Sequence, residues 1–397
     1  MEAWMTPYAW LFLIAFAVAY VTTPLARKIA WRVDAVDYPG KRRINRKPIP
    51  RMGGIAVFAG VAVAIAIQWF GSIHLGWPSD IEPSPHLHVN YWAIVLACIT
   101  IFVTGLIDDK YSLKPKQKLL GQLAAAIIAV CGGLVIGVIV NPFTNELIDL
   151  GWFAYPLTVI YLVAYSNIIN LIDGLDGLAT GISCISSITM FALSMMAGRY
   201  DAATLSIAVA GATLAFLRYN FNPASIFLGD SGALFLGFAL GTVSLLSVTR
   251  IAGLTTIIVP LVIAGIPIID TFSAIVRRSR AHVSIGHADR GHIHHRLMEE
   301  GFDQRQAVLL IYAWTALLCV GSFAMTQVSV WPRIFIFIIL VLSSTFFAIN
   351  LKLFQPVLLH HRNPETGDDE LVGPQHPAFK AEEAKFEEEH QGLPHIP

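Results

Sequence analysis

A chain of 397 residues that is 55% hydrophobic, only 14% charged and of mean hydropathy +0.62 does not have the composition of a soluble globular domain, which carries about 25% charged residues. The formal net charge is zero, so the whole-chain field says nothing about partners; how the charges are distributed says more. Cys98, Cys131, Cys184 and Cys319 fall within apolar stretches without metal-ligand spacing, and no disulfide framework is implied.

Apolar stretches of roughly 17 to 24 residues recur along the chain, long enough to cross a hydrocarbon core about 30 Å thick. In chain order they predict spans over 8–26, 52–70, 91–107, 119–140, 152–172, 177–197, 201–217, 231–248, 253–276, 307–326 and 332–352. The expected fold class is all-α: a polytopic membrane protein of eleven transmembrane helices, with the N-terminus outside and the C-terminus cytoplasmic. Residues 1–354 are expected to form the membrane-embedded domain. The acidic tail 355–397, with Asp368-Asp369-Glu370 and Glu387-Glu388-Glu389, is poor in large apolar residues and is expected to be disordered. The first stretch is preceded by Glu2 and followed by Arg27-Lys28, the reverse of a secretory signal's charge order, so it reads as a retained span.

Charge distribution supports this topology. The loops assigned to the inside hold nine Lys and Arg in Arg27–Arg51, four in Lys110–Lys118, Arg218 alone and six in Arg277–Arg305, and the C-terminal stretch from Lys352 onward adds four. The outside loops hold Arg199, Arg250 and Arg333. This bias obeys the positive-inside rule, and gaining or losing one span would break it for every later loop. No internal repeat of the inverted-repeat transporter kind is visible.

Every candidate catalytic cluster falls on the positively charged face. The loop before the second span ends in Pro-Ile-Pro-Arg-Met-Gly-Gly, a turn too specific for an orientation signal alone, with Lys47 or Arg51 facing a site. Asp108-Asp109 end the third span and precede Lys110, Lys114, Lys116 and Lys118, which combines a metal or proton role with a phosphate-attracting rim; a solvated helix end is the ordinary alternative. Between the fifth and sixth spans, Asn167, Asn170, Asp173 and Asp176 alternate with Gly174 and Gly177. Polar groups there suggest backbone close to a ligand, or a turn with aspartate as its cap. Asp230, between Gly229 and Ser231, either caps the eighth span or coordinates Mg²⁺ beside a phosphate at a helix N-terminus. The last inside loop holds His282, His287, His292, His294 and His295 with Arg277, Arg278, Arg280, Arg290 and Arg296. Arginine forks and imidazoles fit phosphate oxygens better than the pattern fits zinc.

Together these motifs resemble the polyprenyl-phosphate N-acetylhexosamine-1-phosphate transferase family, in its undecaprenyl-phosphate GlcNAc-1-phosphate branch. The matching segments are PIPRMGG (48–54), DDK (108–110), NIINLIDGLDGLA (167–179), FLGDSG (227–232) and GHIHHRL (291–297). The resemblance implies a cytoplasm-facing site on the bacterial inner membrane that binds Mg²⁺, with Mn²⁺ as an alternative. Asp230 is then the main metal ligand and Asn170 a second. Asp108, Asp109, Asp173 and Asp176 form the catalytic set, with Asp108 deprotonating or orienting the lipid phosphate. Lys47, Arg51, Lys118, Asn167, Arg290, His292, His294, His295 and Arg296 bind substrate. Asn45 departs from the histidine many relatives carry.

The implied partners are UDP-GlcNAc, undecaprenyl phosphate and the lipid bilayer, with a homodimer as a candidate assembly and no nucleic acid. The implied reaction is transfer of the sugar phosphate to the lipid phosphate with release of UMP, initiating a polysaccharide such as O-antigen, enterobacterial common antigen or teichoic acid; close placement of two ordered substrates favours direct displacement over a covalent aspartyl intermediate, which the residues leave open. A related UDP-N-acetylhexosamine is the alternative donor. An ion-coupled transporter would need ionisable residues lining the middle of the spans, and those interiors are almost free of charge. A prenyltransferase would need a repeated D-x-x-x-D motif that this chain lacks.

Overall fold

The computed structural model describes residues 6–39, 47–78, 89–140, 147–248, 260–280, 291–355, 359–362 and 369–372. The chain divides into two compact units: Met1–Pro267 with Gln304–Leu340, and Ile268–Asp303 with Val341–Pro397.

Long α-helices account for most of the first unit: α1 Thr6–Arg32, α2 Gly54–His74, α3 Tyr91–Tyr111, α4 Pro115–Cys131, α5 Ala154–Ile172, α6 Leu178–Met196, α7 Tyr200–Asn220 and α8 Gly229–Val248. Beyond α8 come α9 Gly265–Arg280, α10 Ile293–Glu299, α11 Gln304–Gln327 and α12 Val330–Asn350. Among the described residues nine helices are long and apolar enough to cross a bilayer. A 21-residue helix such as α2 rises about 1.5 Å per residue and so matches a hydrocarbon core of about 30 Å. The protein is an all-α, multi-pass membrane protein.

Two expected spans differ in detail. The fourth stops at Cys131 rather than running to 140. Gly132 and Gly133, the latter at φ +90, end the helix there, and Val138–Val140 pairs antiparallel with Leu147–Asp149 instead. Part of the expected ninth span, 253–259, lies outside the described residues. The break between the fifth and sixth spans falls at residues 173–177, as the glycines there require.

Small residues let the helices of this unit approach closely. Gly60 faces the Ala15 carbonyl and Gly211 the Phe12 carbonyl, joining α2 and α7 to α1, the close backbone packing expected where lipid offers no hydrophobic drive between helices. α8 is the central helix, buried along 89% of its apolar window against 28% for α1. α1 turns Trp10, Leu13, Val21 and Leu25 outward as a lipid-facing surface.

In the second unit the described part of the tail is not free of regular structure. Leu359–Arg362 pairs antiparallel with Asp369–Val372, setting Arg362 opposite Asp369 and His361 opposite Glu370. The rest of the tail, including Glu387-Glu388-Glu389, lies outside the described residues.

Candidate active site

Four helix ends build one polar corner in the first unit. α3 runs to Tyr111 and closes on Ser112 at φ +50, whose amide donates to the Asp108 carbonyl at 2.9 Å. α4 starts immediately afterwards because Pro115 sits at its first turn, where its missing N–H costs nothing. This tight connection puts Asp108 and Asp109, in the last turn of α3, beside Lys118 in the first turn of α4. The last turn of α5 brings Asn170 and the first turn of α8 brings Asp230.

The contacts are specific. Lys118 Nζ lies 3.0 Å from Asp108 Oδ2 and donates to Asn170 Oδ1 at 3.0 Å. It also pairs closely with Asp230 Oδ1. Asn170 Nδ2 donates to the same Asp230 oxygen at 2.7 Å. The Leu113 amide donates to Asp108 Oδ1 at 2.7 Å. The Asp108 side chain is 8% exposed and that of Asp230 27%, so Asp230 is the more open of the two.

Asp109 sits differently, at 0% exposure. Its Oδ1 accepts the Asp230 amide at 2.7 Å, and its Oδ2 accepts the Ser231 amide at 3.1 Å and the Ser231 hydroxyl at 2.5 Å. These are the first amides of α8, so the anion that caps that helix comes from α3 rather than from Asp230 itself. A carboxylate is favoured there by the otherwise unsatisfied N–H groups and the positive end of the helix dipole. Gly229 makes this possible: it has φ +75, and a Cβ on it would meet Asp109 Oδ1 at 2.6 Å.

The PIPRMGG segment braces the same corner. Phe227 N donates to the Pro50 carbonyl at 2.9 Å, Gly53 N to Phe227 O at 3.0 Å and Gly54 N to Leu228 O at 2.8 Å. Arg51 Nε donates to the Asp109 carbonyl at 3.1 Å, and its Nη2 to Ser112 Oγ at 3.3 Å. Arg51 therefore ties the end of α3 to the second-span turn, while Lys47 lies exposed just before it. Side chains at Gly54 or Gly105 would run into the backbone at Ser231–Gly232 or Asp230–Ser231.

The remaining predicted residues spread around this corner. Asp176 Oδ2 accepts Asn222 Nδ2 at 3.0 Å and the Ala224 amide at 2.9 Å, holding the segment before FLGDSG. Asn222, which the sequence did not single out, also donates to Gln304 Oε1 at 2.7 Å, and Arg305 Nε donates to its carbonyl at 3.0 Å. Asn167 forms a reciprocal amide pair with Gln122 at 2.7 and 3.1 Å, joining α5 to α4. Half-buried Asp173 stands in the break between α5 and α6. Burial, with Asp230, Asp109 and Asp176 nearby, holds its carboxyl well above the usual carboxylate range.

The second unit carries the histidine cluster. Asp270, 1% exposed, accepts the Ile293 amide on Oδ1 at 2.7 Å, and its Oδ2 lies 2.7 Å from His292 Nδ1. It thereby caps α10 and fixes the imidazole preceding it. Sequence reading gave Asp270 no role, because a lone acid near the end of a span shows nothing of its partner. His294 is 3% exposed, and its Nδ1 has no hydrogen-bond partner among the described residues. Burial first, then His295 and His292, pull its pKa down to about 3, against a smaller raising effect of Asp270. It is neutral at physiological pH. His295 and Arg296 are less buried, with Arg296 on Glu299 at 3.2 Å and on the Gln355 carbonyl at 2.9 Å. Arg290 lies outside the described residues.

Among the described residues no three carboxylate, imidazole or thiol groups gather to hold a metal by themselves. The corner in the first unit instead offers Asp108 and Asp230 carboxylate oxygens and the Asn170 amide oxygen around one point. That hard oxygen set suits Mg²⁺, which takes one or two carboxylates and fills its remaining positions with water and phosphate.

The family model described as glycosyl transferase family 4 matches residues 91–248, the segment from α3 to α8. A Bacillus subtilis (strain 168) protein, described as a probable undecaprenyl-phosphate N-acetylglucosaminyl 1-phosphate transferase, is 38% identical over 331 residues, covering 83% of this chain and 88% of its own length. A decaprenyl-phosphate N-acetylglucosaminephosphotransferase from Mycolicibacterium smegmatis (strain ATCC 700084 / mc(2)155) is 33% identical, covering 78% of this chain and 80% of its own length. An undecaprenyl-phosphate alpha-N-acetylglucosaminyl 1-phosphate transferase from Yersinia pestis is 30% identical, covering 79% and 82%. With a 38%-identical relative matched across most of both chains, and an oxygen-lined corner built from the very motifs that carry the resemblance, the chain belongs to the polyprenyl-phosphate N-acetylhexosamine-1-phosphate transferase family.

Proposed function

We propose that this protein transfers GlcNAc-1-phosphate from UDP-GlcNAc to undecaprenyl phosphate. UMP is released, and a lipid-diphosphate sugar remains in the membrane to start a cell-surface polysaccharide. The observation that carries the reading is the meeting of Asp108, Lys118, Asn170 and Asp230 at the ends of α3, α4, α5 and α8. Under the positive-inside assignment all four ends lie on the cytoplasmic side of the bacterial inner membrane, where the nucleotide sugar is found.

Asp108, Asn170 and Asp230 would hold Mg²⁺, which when bound neutralises the diphosphate and the departing UMP. Asp109 works through Asp230: it pins the first turn of α8 and so fixes where that carboxylate stands. Asp176 works in the same way, through the Asn222–Ala224 segment. A lipid phosphate has a second pKa of about 6 and is mostly ionised at neutral pH. It needs orientation more than a strong base, and Asp108 and Asp173 are the carboxylates placed to orient it. In the second unit, His292 held by Asp270, together with His295 and Arg296, supplies donors suited to phosphate oxygens.

UMP release by purified protein in detergent tests the reading. Release that requires both UDP-GlcNAc and undecaprenyl phosphate is expected, with identification of the lipid product naming the sugar. No release with any UDP-N-acetylhexosamine, or release independent of lipid phosphate, overturns it.

A further inference from the structure

The Lys118 ammonium occupies the point where the three candidate metal ligands converge. It meets Asp108 Oδ2 and Asn170 Oδ1 at 3.0 Å each and pairs with Asp230 Oδ1. An ammonium has three N–H donors and no acceptor, so these three oxygens take its whole donor set. They belong to three different helices, and the corner they form is partly open to water, with Asp108 at 8% and Asp230 at 27% side-chain exposure. Without a cation among them, Asp108 and Asp230 would face each other as like charges in a half-buried corner.

We propose that Lys118 is a tethered stand-in cation: it holds the oxygen cluster together in the metal-free protein, and a divalent cation must displace it. This rests on the reading that the corner takes Mg²⁺. A divalent ion needs the same oxygen lone pairs at about 2.1 Å. A lysine ammonium is a compact charge on a flexible four-carbon stem, so it leaves by rotating its own side chain while the helix stays in place. The displaced ammonium sits at the rim of the same corner, in reach of an anionic group brought with the metal. Metal and diphosphate are then expected to bind cooperatively. The metal frees the ammonium, and the phosphate gives it a new partner.

Mn²⁺ alone is the probe, titrated by electron paramagnetic resonance into the full-length protein without substrate. Wild type is expected to bind at one site, Asp230→Asn to lose it, and Lys118→Met to bind roughly tenfold tighter or more. Lys118→Gln, whose neutral amide still donates to the carboxylates, is the second variant should Lys118→Met fail to fold, and it is expected to move the same way. Because removing any nearby positive charge raises metal affinity, position decides between displacement and simple repulsion. Anomalous diffraction from Mn²⁺-soaked crystals is expected to show the metal on Asp108, Asn170 and Asp230, with Lys118 turned away. A metal bound while Lys118 stays on all three oxygens overturns the proposal, as does unchanged or weaker affinity in both variants. If wild type binds no Mn²⁺ and neither lysine variant does, the metal reading falls and this proposal falls with it.

Discussion

The Asp109 carboxylate and the Ser231 hydroxyl lie 2.5 Å apart, and the same carboxylate receives the Ser231 amide at 3.1 Å. This pair binds the end of α3 to the start of α8 and so decides where Asp230 stands.

Asp109→Ala removes a fully buried carboxyl group and leaves two α8 amides and a hydroxyl unpaired. Each such group costs about 1–3 kcal/mol, so a loss of about 3 kcal/mol or more is expected. Asp109→Asn keeps part of the pairing and should lose less stability. Thermal unfolding in detergent measures both; an alanine variant as stable as wild type removes Asp109 from this role.

Asp230→Asn should fold normally and lose transfer, by about 10²-fold or more, the scale seen when one charge-stabilising group is removed from an active site. The check is steady-state UMP release across a Mg²⁺ titration. Turnover restored to wild-type level at saturating Mg²⁺ would assign Asp230 to metal affinity alone, and unaltered turnover at all concentrations would remove it from the site.

Gly54→Ala introduces a Cβ where the Gly232 backbone and Ser231 Oγ already are. Both are held by the α8 cap, so neither yields readily, and overpacking of this kind costs about 1–3 kcal/mol. Lower stability and lower activity are expected together. An equal substitution at Gly76, where nothing lies within 4 Å, crowds no neighbour, though its φ of +65 adds backbone strain. Spectroscopic melting of the two variants compares crowding with strain, and a Gly54→Ala variant melting like wild type contradicts the close contact.

His294 supplies a pH dependence. Its folded pKa of about 3 lies below the ordinary value of 6.5, so between those values the unfolded chain binds a proton that the folded protein refuses. Stability therefore falls as pH drops from 6.5 towards 3, by at most about 1.4 kcal/mol per unit, and the effect is constant below and absent above. His294→Phe should flatten that part of the profile. The measurement is the difference in melting temperature between wild type and variant at pH 7 and pH 5, with equal differences at both pH values counting against a buried neutral imidazole.

Much of the architecture was legible because membrane insertion depends on local properties. Hydropathy over a window, Lys and Arg beside each end, and glycine or proline at the breaks are all read from consecutive residues. The fourth span was drawn too long for the same reason: residues 134–140 are largely apolar, but the helix ends at Gly132-Gly133 and residues 138–140 pair with residues 147–149.

The sequence by itself determined the class of protein and the family its motifs resemble. Only the tertiary structure decided which aspartate does what. Asp108 and Asp109 are neighbours of identical chemistry, yet one meets Lys118 and the other is sealed under α8. Their side chains leave the helix about 100° apart, so the identity of the helix packed on each side, rather than the residue type, sets the role. Asp270 with His292 and Asn167 with Gln122 follow the same rule: a polar partner supplied from a different helix leaves no trace in local periodicity.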